Sequence, residues 1–224
     1  MLEFITNIDT WLTLLLNGSD SVMLDTIAVT ATKTSTWIPL GILLLYVLMR
    51  MKNWKNALLV ILCVAIAITL ADQMASGIFK PLVARLRPSH TPELQGVIDL
   101  VGDYRGGRYG FFSSHAANTC AVAVFLSLLF RKRVFTVAIC SWAMVNSWTR
   151  LYLGVHYVGD IMVGLIWGAF VGWMVFRLYR FLTLKVKLEG VELLYTEKRA
   201  YLLAEAIVLT YAAIIIYAIC KTIL

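Results

Sequence analysis

The chain has 224 residues, of which 60% are hydrophobic and only 15% are charged, whereas a soluble globular domain has about 25% charged residues. Together with a mean hydropathy of +0.80, this composition excludes an ordinary soluble enzyme and indicates one membrane domain with several spans. The net charge of +7 does not predict a nucleic-acid partner, because in a membrane protein the positions of the basic residues matter more than their sum.

The first predicted elements are amphipathic rather than uniformly apolar. Residues 1–33 are interrupted by polar side chains, namely Asp9, Asn17, Asp20, Asp25 and Lys33. This pattern predicts two short helices that lie at the membrane interface or dip into it. One further short span is the alternative for this segment.

Six apolar runs follow, each close to the roughly 20 residues that a spanning helix needs. They are residues 34–51, 56–78, 114–130, 134–151, 157–178 and 200–221. The sequence therefore predicts an all-α fold, a bundle of six transmembrane helices preceded by interfacial helices. We divide the chain into the N-terminal interfacial segment (1–33), a core of five spans (34–180) and a cytoplasmic connector with the sixth span (181–224).

The basic residues predict the orientation of this bundle. Twelve of the 20 Lys and Arg residues lie in the loops after the first, third and fifth spans or at the span ends beside these loops. Positively charged short loops remain in the cytoplasm. The other edge, which carries residues 80–113 and the corner 150–157, is therefore expected to face the periplasm or the cell exterior. A bacterial inner membrane is the favoured location.

Three polar stretches lie at the outer edge, where a compact bundle brings them together: KPLVARLRP, FFSSHAAN and RLYLGVHYVGD, which begin at residues 80, 111 and 150. Lys80, Arg87 and Arg150 are fixed cations, and an Arg fork suits phosphate oxygens. Ser113 and Ser114 begin a predicted helix, where free N–H groups favour an anion. The composition predicts a phosphate-binding site.

Two histidines at this edge have the chemistry to react with a bound phosphate. His156 and Asp160 are four residues apart, so on a helix they share one face. A carboxylate beside an imidazole holds its tautomer and raises its basicity, which makes His156 a candidate nucleophile toward phosphorus. His115 is a candidate acid for the leaving oxygen. No carboxylate–histidine set with metal spacing is present in these motifs, and we expect neither a metal nor another cofactor.

The three motifs together resemble those of the type 2 phosphatidic acid phosphatases (PAP2), whose core is related to that of vanadium haloperoxidases. The family pattern is Lys-x6-Arg-Pro, then Pro-Ser-Gly-His, then Ser-Arg-x5-His-x3-Asp. The corresponding residues here are Lys80, Arg87 and Pro88, then Phe112, Ser113, Ser114 and His115, then Thr149, Arg150, His156 and Asp160. The resemblance covers roughly residues 36–180.

The resemblance implies a metal-independent lipid phosphomonoesterase or pyrophosphatase with a PAP2/haloperoxidase-like core. It implies that His156 is the nucleophile that forms a phosphohistidine, with Asp160 as its orienting carboxylate. His115 is implied as the general acid and later as the base for water. The residues implied to bind the substrate phosphate are Lys80, Arg87, Ser113, Ser114 and Arg150.

The chain departs from the family pattern at three positions. Phe112 replaces Pro, which we expect to loosen the turn before the third span. Ser114 replaces Gly, so a backbone contact there has to accommodate a side chain. Thr149 replaces Ser and retains the hydroxyl. No reactive group is lost, so we expect these changes to affect the substrate range rather than the activity.

The implied partner is a phosphorylated lipid whose tail enters laterally from the bilayer while its headgroup meets the site at the outer leaflet. Undecaprenyl diphosphate or a lipid A type is favoured because both present phosphate outside; phosphatidylglycerophosphate and phosphatidic acid are the other candidates. A non-enzymatic transporter or binding protein for phosphorylated lipids is the alternative function. The His156–Asp160 pair argues against it, because binding alone needs no activated nucleophile.

Three further features carry structural expectations. Arg85 lies in the first motif without being a family position, and we favour a side chain that extends to the membrane interface over a contact with a second phosphate. Asp72 lies within the second predicted span, and we favour a hydrogen bond with a neighbouring span over a functional role for this acid. Glycines within the fifth span, such as Gly164, Gly168 and Gly172, predict close helix packing.

Overall fold

The computed structural model describes residues 2–50, 53–186 and 197–223 of the chain. These residues form helices, turns and loops with no β-strand among them, in agreement with the predicted all-α class. The helices are α1 (Leu2–Leu16), α2 (Val22–Thr32), α3 (Ile38–Met49), α4 (Trp54–Asp72), α5 (Lys80–Val83), α6 (Ser114–Phe130), α7 (Arg133–Tyr152), α8 (Val158–Lys185) and α9 (Glu197–Ile223). Residues 187–196 of the predicted cytoplasmic connector lie outside the described residues.

Three helical segments within the described ranges are long and apolar enough to cross a membrane. They are Trp54–Val83, which joins α4 to α5 through a π-helical segment at Gln73–Phe79, then α8 and α9. A fourth candidate is α2 followed by Thr34–Met49, if this pair, bent by 70°, forms one span. The protein is therefore an integral membrane protein, and the count of six spans stays a prediction.

The region of the first predicted span, 34–51, is less regular than expected. Thr34–Trp37 forms a 3₁₀ turn, and α3 has only 12 residues. The N–H of the Trp37 indole donates to the carbonyl of Ala31, which secures the bend between α2 and α3. A short helix after a bent turn therefore replaces the continuous span, because the polar TKTST stretch favours a local turn.

The N-terminal segment forms two helices, as the sequence predicts. Helix α1 packs against α8 and α7, and α2 packs against α9 and α7. Asn17 lies in the turn after α1, and its side chain donates to the backbone carbonyls of Asp99 and Tyr152. These contacts attach the segment to the end of the bundle that carries the three polar motifs. Its place relative to the membrane surface stays a prediction.

Helices α6 and α8 pack more extensively against each other than any other pair of described elements. A methyl group on Gly168 would overlap the carbonyl oxygen of Ala117, and Gly164 and Gly172 make similarly close approaches to α6. The predicted close packing at these glycines is confirmed. Because the backbones nearly touch, the N-terminal ends of α6 and α8 meet at one end of the bundle.

We expect the Gly168→Ala variant to be less stable by about 1–3 kcal/mol, because α6 has to move away from the added methyl group. Thermal unfolding in detergent, with phosphate release as a second readout, measures the effect. Gly41→Ala in α3 is the matched control, since its added methyl group would have no neighbour within 4 Å. Equal melting temperatures for the two variants would contradict the packing argument.

The loop between α5 and α6 covers this end of the bundle. Backbone hydrogen bonds join its two halves, from the Arg87 N–H to the Arg108 carbonyl (3.1 Å) and from the Gly110 N–H to the Arg85 carbonyl (2.9 Å). The N–H of Ser89 donates to the carbonyl of Gly154 in the turn before α8. The loop thereby carries Arg85 and Arg87 over the N-terminal end of α8.

Candidate active site

His156 lies at the centre of the site, between a cation and a carboxylate. Its Nδ1 is 3.2 Å from Oδ2 of Asp160, and its Nε2 is 2.8 Å from Nη1 of Arg87. All three residues are buried. Because guanidinium only donates, Nε2 accepts from Arg87, and the proton on Nδ1 is donated to Asp160. The contact was predicted for two residues on one helix face, but His156 lies in the turn before α8 and Asp160 in its first turn.

Burial and charge keep the His156 imidazole neutral. Burial is the largest cause that holds its pKa well below the usual value, followed by the charges of Arg87 and Arg150 and then of Lys80 and His115. A neutral imidazole with its proton on Nδ1 has its lone pair on Nε2. That lone pair points at the Arg87 guanidinium, the group that a phosphate oxygen would bind.

Asp160 links helix α8 to helix α6. Its carbonyl accepts from the Ser113 N–H at 3.1 Å, which links the start of α8 to the start of α6. Its Oδ2 also accepts from the N–H of Tyr157 at 3.1 Å. A methyl group on Gly110 would lie 2.9 Å from this oxygen, so only glycine fits closely there. The carboxylate is therefore enclosed on several sides.

Lys80 reaches the start of α6 from the end of the π-helical segment. Its Nζ donates to Oγ of Ser114 and to Oγ of Ser76, both at 3.0 Å. The serine that replaces the family glycine thus contacts the motif lysine through its side chain. Asp72 accepts from Ser76 at 3.4 Å and from Asn118 of α6 at 3.5 Å. The predicted hydrogen bond between Asp72 and a neighbouring span is confirmed.

Arg150 and His115 meet residues that the sequence motifs do not include. Arg150 donates to Oγ1 of Thr32 at 2.8 Å and to the hydroxyl of Tyr104 at 3.3 Å. The imidazole of His115 contacts the backbone of Thr32. The end of α2 and the α5–α6 loop therefore complete this side of the site. The sequence carried no signal for Thr32 or Tyr104, because both lie outside the three motifs.

Arg85 does not extend to the membrane interface, and the favoured prediction for it is wrong. Its Nη1 is 3.2 Å from Oδ1 of Asp160 and its Nη2 is 2.7 Å from Oδ2 of Asp9. Its guanidinium carbon lies 3.8 Å from the centre of the Tyr157 ring. Two carboxylates and an aromatic ring within reach make this partly buried arrangement favourable. The one sequence feature that could have indicated a place in the site was the position of Arg85 inside the first motif, two residues before Arg87.

The other two departures from the family pattern have local explanations. Phe112 is 2% exposed and packs on Phe79, with ring centres 5.4 Å apart. The turn before α6 is therefore held by an apolar contact where the family has proline. Thr149 donates to the carbonyl of Asn146 at 2.7 Å, so its hydroxyl is bonded within α7.

The structure brings the predicted site residues to one end of the bundle. Three cations, Lys80, Arg87 and Arg150, act electrostatically on both imidazoles, and His115 acts on His156. Within the described ranges, no group of three or more His, Cys, Asp or Glu residues is placed to hold a metal ion. The arrangement offers cationic donors for a phosphate, a neutral nitrogen nucleophile and a second imidazole for proton transfer.

Comparisons with known proteins show the family of the chain. Residues 54–184 match the PAP2 superfamily. The chain is 40% identical over 230 residues to a lipid A 4'-phosphatase of Bacteroides thetaiotaomicron, covering 99% of this chain and 100% of that protein. It is 36% identical over 178 residues to a lipid A 4'-phosphatase of Porphyromonas gingivalis, covering 80% of this chain and 75% of the relative.

A solved structure shows the same fold. The crystal structure of a transmembrane PAP2-type phosphatidylglycerolphosphate phosphatase from Bacillus subtilis superposes with a TM-score of 0.57 at 20% sequence identity. The superposition covers 76% of this chain and 84% of the other. With the family match over more than half of its length, the chain belongs to the PAP2 superfamily and is a membrane phosphatase.

Proposed function

We propose that this phosphatase hydrolyses a phosphate monoester of a lipid A-type glycolipid at the outer leaflet. The reaction proceeds through a phosphohistidine on His156. The observation that carries the chemistry is the buried line of Arg87, His156 and Asp160, with contacts of 2.8 Å and 3.2 Å. Two relatives named as lipid A 4'-phosphatases support this substrate over undecaprenyl diphosphate, the other favoured candidate. Full coverage of the first relative supports one shared activity.

The first chemical step follows from the positions of the donors. The phosphate oxygens bind Lys80, Arg87 and Arg150, and the guanidinium of Arg87 turns from Nε2 of His156 to the substrate. The freed Nε2 attacks phosphorus, forming an N–P bond while the ester P–O bond breaks. Because the charge of the bound phosphate offsets the three cations, His115 holds a proton in the substrate complex and gives it to the departing oxygen. Asp160 accepts the Nδ1–H bond, which strengthens as the His156 imidazole becomes positive.

The second step regenerates the enzyme. His115, now neutral, takes a proton from water, and the resulting hydroxide attacks the phosphorus of the phosphohistidine. The N–P bond breaks, and its electron pair returns to Nε2 of His156. Inorganic phosphate leaves, and His115 holds the proton that it needs for the next cycle. The remaining phosphate binders, Ser113 and Ser114, lie at the α6 N-terminus, whose N–H groups favour the anion.

The proposal includes a topology. Six spans with the N-terminal helices at the interface place the α5–α6 loop and the α7–α8 corner outside the cytoplasm of a bacterial inner membrane. The basic loops after the first, third and fifth predicted spans support this orientation. A periplasmic site suits a glycolipid that presents its phosphate at the outer leaflet.

Phosphate release from a panel of purified lipids in detergent, with a chelator present, tests the proposal. We expect bisphosphorylated lipid A to lose its 4'-phosphate at least about 10-fold faster than phosphatidic acid, phosphatidylglycerophosphate or undecaprenyl diphosphate, because both relatives are named for this phosphate. Mass spectrometry of the product identifies the phosphate that was lost.

Each arm of this experiment has an outcome that would overturn part of the proposal. A faster rate with undecaprenyl diphosphate would overturn the lipid A assignment. Loss of activity with the chelator would contradict the metal-free mechanism. Tight binding of lipid A without phosphate release, and without competition by vanadate for the bound lipid, would favour a binding or transport protein.

A further inference from the structure

Helix α1 is connected through Arg85 to Asp160, the carboxylate that contacts His156. Asp9, in the middle of α1, pairs with Arg85 at 2.7 Å, and Arg85 pairs with Oδ1 of Asp160 at 3.2 Å. The other oxygen of Asp160, Oδ2, faces Nδ1 of His156. A continuous chain of charged hydrogen bonds therefore runs from α1 to the imidazole.

The same helix caps the start of α8. The Gly159 N–H donates to Oδ1 of Asp9 at 2.7 Å, and the Val158 N–H donates to Oγ1 of Thr13 at 3.1 Å. Tyr157, which precedes α8, makes no side-chain cap of its own. Two of the N–H groups that a helix leaves unpaired at its start are therefore satisfied by another helix. Asp9 uses one oxygen for this cap and the other for Arg85.

Asp9, Arg85 and Asp160 are largely shielded from water, so each charge depends on the partner that the other residues provide. The side chain of Asp160 is fully buried, whereas those of Asp9 and Arg85 are 13% and 25% exposed. With two carboxylates to bind, Arg85 contacts each through a different nitrogen. Without Asp9, both nitrogens would be free to form a two-pronged pair with Asp160, the geometry that guanidinium and carboxylate prefer. That pair would draw Asp160 away from His156.

We propose that Asp9 is a positioning residue: through Arg85, it holds Asp160 against Nδ1 of His156. The proposal rests on the function proposed above, in which His156 is the nucleophile. Residues 54–184 match the family, so α1 lies outside the matched segment and the match assigns no role to Asp9. An N-terminal helix thereby contributes to the orientation of the catalytic imidazole.

The Asp9→Asn variant isolates the contact with Arg85. Its amide oxygen retains the bond from the Gly159 N–H, while its neutral NH₂ group no longer pairs with the guanidinium. We expect kcat for lipid phosphate release to fall about 10-fold, a loss typical of residues that orient a functional side chain without touching the substrate. We expect KM to change less than about twofold. Asp9→Glu restores the charge and is expected to recover part of kcat.

Thr13→Val is the matched control on the same helix. It removes the other cap of α8, at Val158, and leaves Asp9 and Arg85 in place. If Asp9 only attached α1 to the bundle, the two variants would lower the melting temperature and kcat together. The proposal requires that Asp9→Asn lower kcat at least about fivefold more than Thr13→Val does.

A double-mutant cycle with Arg85→Gln separates positioning from docking. In the Arg85→Gln background, Asp9→Asn should change kcat less than about twofold, because the competing guanidinium is gone. Independent effects that multiply would overturn the proposal, as would a wild-type kcat for Asp9→Asn. His156→Ala, run beside these variants, tells the two hypotheses apart. If it is inactive while Asp9→Asn is normal, only the positioning role fails; if it turns over normally, the proposed function fails.

Discussion

The His156→Ala variant is expected to lose lipid phosphatase activity by about 10⁴-fold or more, because it lacks the Nε2 atom on which the proposed covalent intermediate forms. Phosphate release from lipid A in detergent measures the loss. Rapid quenching of the parent enzyme should also trap a phosphoenzyme that is stable to base and labile to acid, as expected of an N–P bond. The variant should show no such label.

The third histidine of the chain provides the control for this experiment. His90 lies in the α5–α6 loop with its Nε2 3.4 Å from the Gly106 carbonyl, and it has no part in the proposed chemistry. His90→Ala should retain activity within about twofold. A phosphoenzyme in His156→Ala, or turnover at the parent rate, would overturn the phosphohistidine mechanism.

The His115→Asn variant should separate the two proton transfers assigned to this residue. With a lipid alkyl phosphate we expect a loss of about 10²–10⁴-fold, because the departing alkoxide is no longer protonated. An aryl phosphate such as p-nitrophenyl phosphate has a leaving group that departs without a proton. With this substrate the first step should remain fast and only the hydrolysis of the phosphohistidine should slow.

The expected signature is a stoichiometric burst of p-nitrophenol from His115→Asn, accompanied by accumulation of the phosphoenzyme. The lipid substrate should give no burst with the same variant. His156→Ala is the control, since it should give no burst with either substrate. Equal losses on both substrates, without a burst, would show that His115 does not act as the acid and base of this reaction.

Local sequence patterns determined several features of this protein. Composition and long apolar runs identified a membrane protein, because burying backbone in lipid requires helices of sufficient length. The run 114–130 coincides with α6, and 134–151 differs from α7 by one residue at each end. The contact between His156 and Asp160 was also predictable, because the two residues are only four apart in sequence, although His156 lies in the turn before α8 rather than on the helix.

Contacts between residues far apart in sequence were decided by the tertiary structure. Arg85 bonds Asp9 across 76 positions, and Arg150 bonds Thr32 across 118. Spacing within a motif carries no information about which distant helix presents an oxygen to a buried cation, since helix packing makes that choice. The glycine face of α8 brings α6 and α8 together, and α1 and α2 then close the same end of the bundle. The sequence thus predicted the candidate reactive groups, and the packing of helices around them decided their hydrogen-bond partners, because burial leaves a charge only the partners that the fold supplies.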